Sequence, residues 1–192
     1  QSFLVTVIPV NDAPTLNVLG NLNTAENATQ QTVSLAGISP GAANETQVVT
    51  ITASSSDTAI VPNPTVSYTS ANATGTLSFT PVVSANGTAT ITVTVNDGQA
   101  VNNTTTRTFT VNVSAVNNAP TLAALNNVTI SEDASMQTVT LTDISTGAAN
   151  ETQTLSITAT SSNPGLIPNP TVNYTSPDAS GSLTFTPATN GN

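Results

Sequence analysis

The side chains in this chain that could do chemistry are oxygen-bearing ones. Ten of the 192 residues are Asp or Glu, the lone basic residue is Arg107, and there is no His or Cys. Without His, Cys or Lys, no Ser-His, Cys-His or Ser-Lys pair can be assembled, so nucleophilic catalysis has no base to run on. Paired carboxylates could still do acid–base work, but the sole adjacent pair is Glu132-Asp133. The chain reads as no enzyme. Lack of lysine also excludes Lys–Asn isopeptide cross-links. Carboxylate, amide and carbonyl oxygens suit a hard cation such as calcium, and the same residue types suit turns and caps through local hydrogen bonds.

The elements that would position these groups are set by an internal repeat. Asn11-Asp12-Ala13-Pro14-Thr15-Leu16 returns as Asn117-Asn118-Ala119-Pro120-Thr121-Leu122, 106 residues later. The offset then holds without a gap to Asn192, which aligns with Asn86, and more than half of the aligned positions are identical. Glu26 falls on Glu132, the loop Gly41-Ala42-Ala43-Asn44-Glu45-Thr46-Gln47 on 147–153, and Pro62-Asn63-Pro64-Thr65-Val66 on 168–172. A period this long matches a small domain rather than a solenoid unit. The frame divides the chain into 1–10, the last strand of a preceding repeat by the match of Phe3–Val7 to Phe109–Val113; 11–116, a complete repeat; and 117–192, a second repeat short of its last two strands.

Within a repeat the apolar residues alternate. Thr88-Ala89-Thr90-Ile91-Thr92-Val93-Thr94-Val95 is the clearest case, with the period of a half-buried strand, and Asn96-Asp97-Gly98 after it is a hairpin-type turn signal. Further strands are expected at Thr15–Leu19, Gln31–Leu35, around Val49 and Ile51, around Val66 and Tyr68, at Leu77–Phe79 and at Phe109–Val113. Thr24–Ala28 is expected to be a polar crossing, and Ala59–Pro64 an irregular edge because proline donates no ladder bond. No stretch has helical spacing. Seven short strands with turn signals between them read as an all-β fold: tandem seven-strand antiparallel sandwiches. The expected core is Val33, Leu35, Val49, Ile51, Val66, Tyr68, Leu77, Phe79, Ile91, Val93, Val95, Phe109, Val111 and Val113. The Glu45 and Glu151 loops read as solvated loops shaped by Gly and Asn, contact with a neighbouring domain or strand being the alternative.

A formal net charge of −9 argues against nucleic acid and anionic membrane surfaces, both of which are bound through basic residues. No apolar run approaches the length of a membrane span. Without cysteine there is no disulfide and no zinc–thiolate site. The chain also lacks tryptophan, which disfavours a glycan-binding face.

The Val-Asn-Asp-Ala-Pro-Thr-Leu connector, the Ile-Ser-Glu-Asp crossing at 130–133, the Gly-Ala-Ala-Asn-Glu-Thr-Gln loop and the Thr-Val-Asn-Asp-Gly turn resemble bacterial cadherin-like and Ig-like tandem repeats. The resemblance covers essentially the whole chain. It implies an extracellular or cell-surface protein of the stalk, adhesin or filament type, with neighbouring repeats of the same chain as partners and homo-assembly or strand exchange as a variant. An adhesive module for protein or glycan is the alternative. It also implies calcium at the joints, held by Asn11, Asp12 and Glu26 at the first and by Asn117, Asn118 and Glu132 at the second, with Asp97 near one of them. The connectors carry fewer carboxylates than the cadherin pattern, and Asn118 stands where the first copy has Asp12.

Overall fold

A computed structural model describes residues 1–191; Asn192 lies outside the described residues. The chain divides into two compact units, Gln1–Val116 and Asn117–Asn192. Among the described residues every regular element is a strand, and no helix is long and apolar enough to cross a membrane.

In the first unit β1 (Leu22–Ala25), β7 (Thr104–Ser114), β6 (Gly87–Asn96) and β3 (Thr50–Ser55) form one sheet in that order. β2 (Gln31–Ala36), β5 (Thr74–Phe79) and β4 (Thr65–Ser67) form another, in the order β2-β5-β4. Alternation decides what each face does. Along β6, Ala89, Ile91, Val93 and Val95 are fully buried, while the threonines between them point outward. Thr90, Thr92 and Thr94 stand directly opposite Thr110, Thr108 and Thr106 of β7, a hydroxyl-rich, partly exposed outer face on which β-branched residues fit the pleat. Leu35, Leu77 and Phe79 from the other sheet complete the core with Phe109, Val111 and Val113. All the expected core residues belong to this cluster or pack against it. Leu16, Leu19, Ile38, Val61 and Ala89 are additional buried members.

Two expectations are corrected. Thr15–Leu19 is not a strand; its one ladder contact is an isolated bridge between Thr15 and Ser39. Leu16 and Leu19 are both buried, and residues three apart cannot share one face of a period-2 strand. The strand begins instead at Leu22, two residues ahead of what reads as the crossing, and takes in its Thr24 and Ala25, so the turn is left to Glu26-Asn27. Asn27 takes a positive φ of 61°, which a short polar side chain tolerates, and Asp133 repeats it at 58°. Secondly, β1 runs parallel to β7, so the sandwich is not antiparallel throughout.

The second unit repeats the smaller sheet. β8 (Gln137–Leu141), β10 (Gly181–Phe185) and β9 (Thr171–Asn173) pair in the order β8-β10-β9. Gln137 faces Phe185 as Gln31 faces Phe79. Residues 156–161, the counterparts of β3, form no strand. β3 pairs only with β6, whose counterpart would fall beyond residue 192. Leu141 and Ile144 are buried, but Leu183 and Phe185 are only half-buried where Leu77 and Phe79 are enclosed.

Candidate functional site

The residues expected to share calcium do not gather. Asn11 gives its side-chain amide to Asp97 Oδ2 at 3.0 Å and to the carbonyls of Val101 at 2.9 Å and Asn102 at 3.3 Å. These partners lie in the β6–β7 turn, at the start of β7. Glu26 lies at the opposite end: its Oε1 accepts the N–H of Val116 at 3.0 Å, and its own N–H donates to Ser114 at 2.8 Å. An eleven-residue strand separates the two places by about 33 Å. Glu26 therefore does not accompany Asn11 and Asp12; the backbone it holds leads into the second connector.

The donor set does not fit a cation. Asn11 turns its N–H groups, not its oxygen, toward Asp97, and its Oδ1 already accepts from Gln47 Nε2 at 2.9 Å. Both oxygens of the buried Asp97 are engaged, Oδ2 by Asn11 and Oδ1 by the N–H of Gln99 at 3.0 Å. The Asp12 carboxylate is exposed, and so is Glu132, although Glu26, its counterpart, is 2% exposed. Asn117 and Asn118 sit in the second connector, contacting the Glu151 loop. No group of three carboxylates gathers among the described residues.

What the polar residues build is a clasp around the connector. Glu45 Oε1 accepts the N–H of Asp12 at 2.7 Å while Oε2 accepts the N–H of Ala42 at 3.1 Å, so one carboxylate ties the connector to its own loop. Gln47 holds Asn11 beside it. In the second unit Glu151 accepts from the N–H and side-chain amide of Asn118, and Gln153 Nε2 donates to Asn117 Oδ1 at 2.7 Å. The approach is close enough to require glycine. A Cβ at Gly41 would lie 2.0 Å from Glu45 Oε2 and 2.8 Å from the Asp12 carbonyl oxygen, at φ +145°. At Gly147 it would lie 2.4 Å from the Ala119 oxygen, at φ +108°. Glu45 and Gln47, read from sequence as loop residues in solvent, are the ones that matter here. The signal that could have found them is that connector and loop are repeated together.

Residues 11–26 then run beside β7 for its whole length. Asn102 Nδ2 donates to the Asn11 carbonyl, Thr105 Oγ1 to that of Pro14, and Arg107 Nε to that of Leu16. Asn21 Oδ1 accepts the N–H of Thr110, and the β1–β7 ladder continues from Leu22–Val111 to Ala25–Ser114. The sequence separation stays between 89 and 91 from Asn11 to Glu26, the mark of two segments lying parallel in register. The single basic side chain is used to tether a backbone carbonyl.

No family model matches the chain, and no curated protein matches it. Solved structures similar to it include the titin domains Z1Z2 in complex with telethonin, at 14% identity over 94% of this chain and 84% of that one, TM-score 0.41. Domains 4 and 5 of the S-layer protein SbsC match at 22% identity over 56% of this chain and 54% of that one, TM-score 0.36. The Bacteroides ovatus protein SGBP-B, in complex with a mixed-linkage heptasaccharide, matches at 17% identity over 93% of this chain and 40% of that one, TM-score 0.35. At such values nothing about function follows from these likenesses. The class is defined by the strands themselves: an all-β protein whose first unit packs a four-stranded sheet on a three-stranded one and whose second unit repeats the smaller sheet.

Proposed function

We propose that this chain is a stretch of a cell-surface or secreted stalk or filament, in which sandwich repeats follow one another as an extended rod and serve as spacers rather than catalysts. The observation that carries this reading is the clasp, built twice from the same residues: Glu45 on Asp12 and Gln47 on Asn11, then Glu151 on Asn118 and Gln153 on Asn117. Each connector is bound by the domain that follows it, so what repeats is a domain with its joint attached. Proline fixes φ inside each connector, and mutual repulsion of acidic repeats favours solubility. A strand as long as the eleven-residue β7 laid along the axis, with a joint added, gives roughly 40 Å per repeat.

Small-angle scattering on a protein of two, three and four complete repeats tests this. The maximum dimension should rise by a constant increment near that length for each repeat added. A maximum dimension that grows much more slowly, as repeats folding back on one another would give, overturns the rod.

A further inference from the structure

We propose that Asn86 is a site of spontaneous covalent modification. Its amide is lost through a cyclic imide, leaving an isoaspartyl link in the main chain at the entry to β6. Asn86 is exposed, and its side chain makes no hydrogen bond among the described residues. The next residue, Gly87, is the first of β6 and has a φ of +135°, a conformation glycine takes readily and other residues do not. A Cβ there would also lie 2.7 Å from Ile60 Cδ1. The fold therefore requires glycine at 87, and glycine is the successor that shields its backbone nitrogen least. Gly87 pairs with Val113 at the outermost rung of the β6–β7 ladder. That rung alone must open for the nitrogen to reach the side chain, and local opening of this kind costs far less than unfolding.

The reaction needs only water. The Gly87 nitrogen, its proton taken up by hydroxide, attacks Asn86 Cγ. A C–N bond forms, the bond from Cγ to Nδ2 breaks, and ammonia leaves with a proton from water, closing a five-membered succinimide. Water then opens the ring. Attack at Cγ gives Asp, and attack at the backbone carbonyl carbon gives isoaspartate, in which the main chain runs through Cβ and Cγ. One water enters, one ammonia leaves, and nothing is oxidised or reduced. Either product adds a negative charge to a chain whose net charge is already −9. Isoaspartate also adds a carbon to the main chain. β6 cannot absorb it, because Ala89 and Ile91 are fully buried. The slack falls on the preceding loop, where Ser84 N–H donates to Asn27 Oδ1 at 2.9 Å and Ala85 N–H to the Val82 carbonyl at 3.2 Å.

The same ring could form at Asp97-Gly98, with water as the leaving group, but there the structure holds every atom involved. Asp97 is 2% exposed, its Oδ2 bound by Asn11 and its Oδ1 by the N–H of Gln99. Gly98 gives its N–H to Asn96 Oδ1 at 2.6 Å. In the second unit, the Gly191 nitrogen of Asn190-Gly191 is tied into a turn by the Ala188 carbonyl at 3.1 Å.

The test is to incubate the full chain at mildly alkaline pH, folded and in urea, and to follow both first-unit dipeptides by mass mapping and isoaspartyl methyltransferase labelling. Chymotrypsin, cutting after Phe79 and Phe109, carries Asn86 and Asp97 in one fragment, so each calibrates the other. Asn86 should react in the folded chain within about threefold of its rate in urea, while Asp97 should react at least about tenfold slower folded than in urea, because it must wait for opening. Asn86→Gln lengthens the side chain past the five-membered ring and should abolish the label in this fragment of the folded chain. Folding that protects Asn86 as strongly as Asp97 overturns the proposal. So does a label undiminished in Asn86→Gln. Neither result bears on the rod dimensions measured by scattering.

Discussion

Asp12 gives its backbone N–H to the carboxylate of Glu45 at 2.7 Å, across 33 residues of chain. Asn118 makes the same contact with Glu151 in the next repeat. The change from Asp to Asn between the connectors is harmless to this contact because the bond uses the backbone, which every residue but proline supplies.

Removing the acceptor should loosen the connector. Glu45→Ala deletes two charge-assisted bonds from a half-exposed carboxylate, at a cost of about 1–2 kcal/mol. For a domain of this size that is a fall in Tm of about 4–8 °C per kcal/mol. Glu45→Gln keeps an acceptor and should fall less. Thermal unfolding followed by circular dichroism separates the two, and equal Tm values for Glu45→Ala and wild type would remove the clasp.

Gly41→Ala should do more harm than Glu45→Ala. The new Cβ would meet both the Glu45 carboxylate and the Asp12 carbonyl, at a φ of +145° that L residues disfavour by about 1 kcal/mol or more. The added methyl displaces the carboxylate as well as straining the backbone. A protease that cuts at exposed connectors should then cleave between residues 10 and 20 faster than in wild type.

At the other end, Glu26→Ala should cost about 1.5–3 kcal/mol, since it deletes a hydrogen bond to a charged, buried acceptor. Glu26→Gln offers Val116 an amide oxygen and should recover part of the loss. Denaturant midpoints at unchanged m-value are the readout. A Glu26→Gln variant no more stable than Glu26→Ala would mean the Val116 contact contributes nothing.

Calcium should not raise the Tm of a protein of complete repeats above its value in chelator. Asp97 Oδ2, Asn11 Oδ1 and Glu26 Oε1 are occupied by N–H donors, and Glu26 stands at the opposite end of the unit from Asn11 and Asp12. A cation binding the native state would stabilise it by mass action, about 2.7 kcal/mol at a hundredfold excess over Kd, so a rise of several degrees in millimolar calcium would contradict this.

Much of the sandwich was legible because alternation is a direct physical record of a two-faced strand. Ile91, Val93 and Val95 could hardly be anything else. The stretch around Leu16 and Leu19 is apolar like a strand but lacks the spacing of one, and its Asn17 N–H donates to the Ala36 carbonyl outside any ladder. The parallel direction of β1 leaves no trace in its own residues, since pairing direction depends on where the chain has come from. The site was less legible. A carboxylate that binds backbone N–H groups looks, in sequence, like any solvated acid, and a resemblance offered calcium as its use. The hidden clue was that polar loop residues are repeated as faithfully as the core. Ser70 and Ser176 accept the N–H groups of Val49 and Leu155 at 2.9 and 3.0 Å, and Asn63 and Asn169 those of Ser55 and Ser161 at 2.8 and 2.9 Å.

The shared register of the two small sheets has a consequence for how such a chain reaches its native state. β2 and β8 both read Gln-Thr-Val at their start, and Gln31 meets Phe79 as Gln137 meets Phe185. Nothing in the pairing itself tells β2 to choose β5 over β10. A chain refolding all at once can therefore exchange strands between neighbours and become trapped in hybrid sheets, a characteristic failure of repeat proteins. Synthesis from the N-terminus avoids this, because β5 is available to β2 about a hundred residues before β10 exists, several seconds at ordinary translation rates.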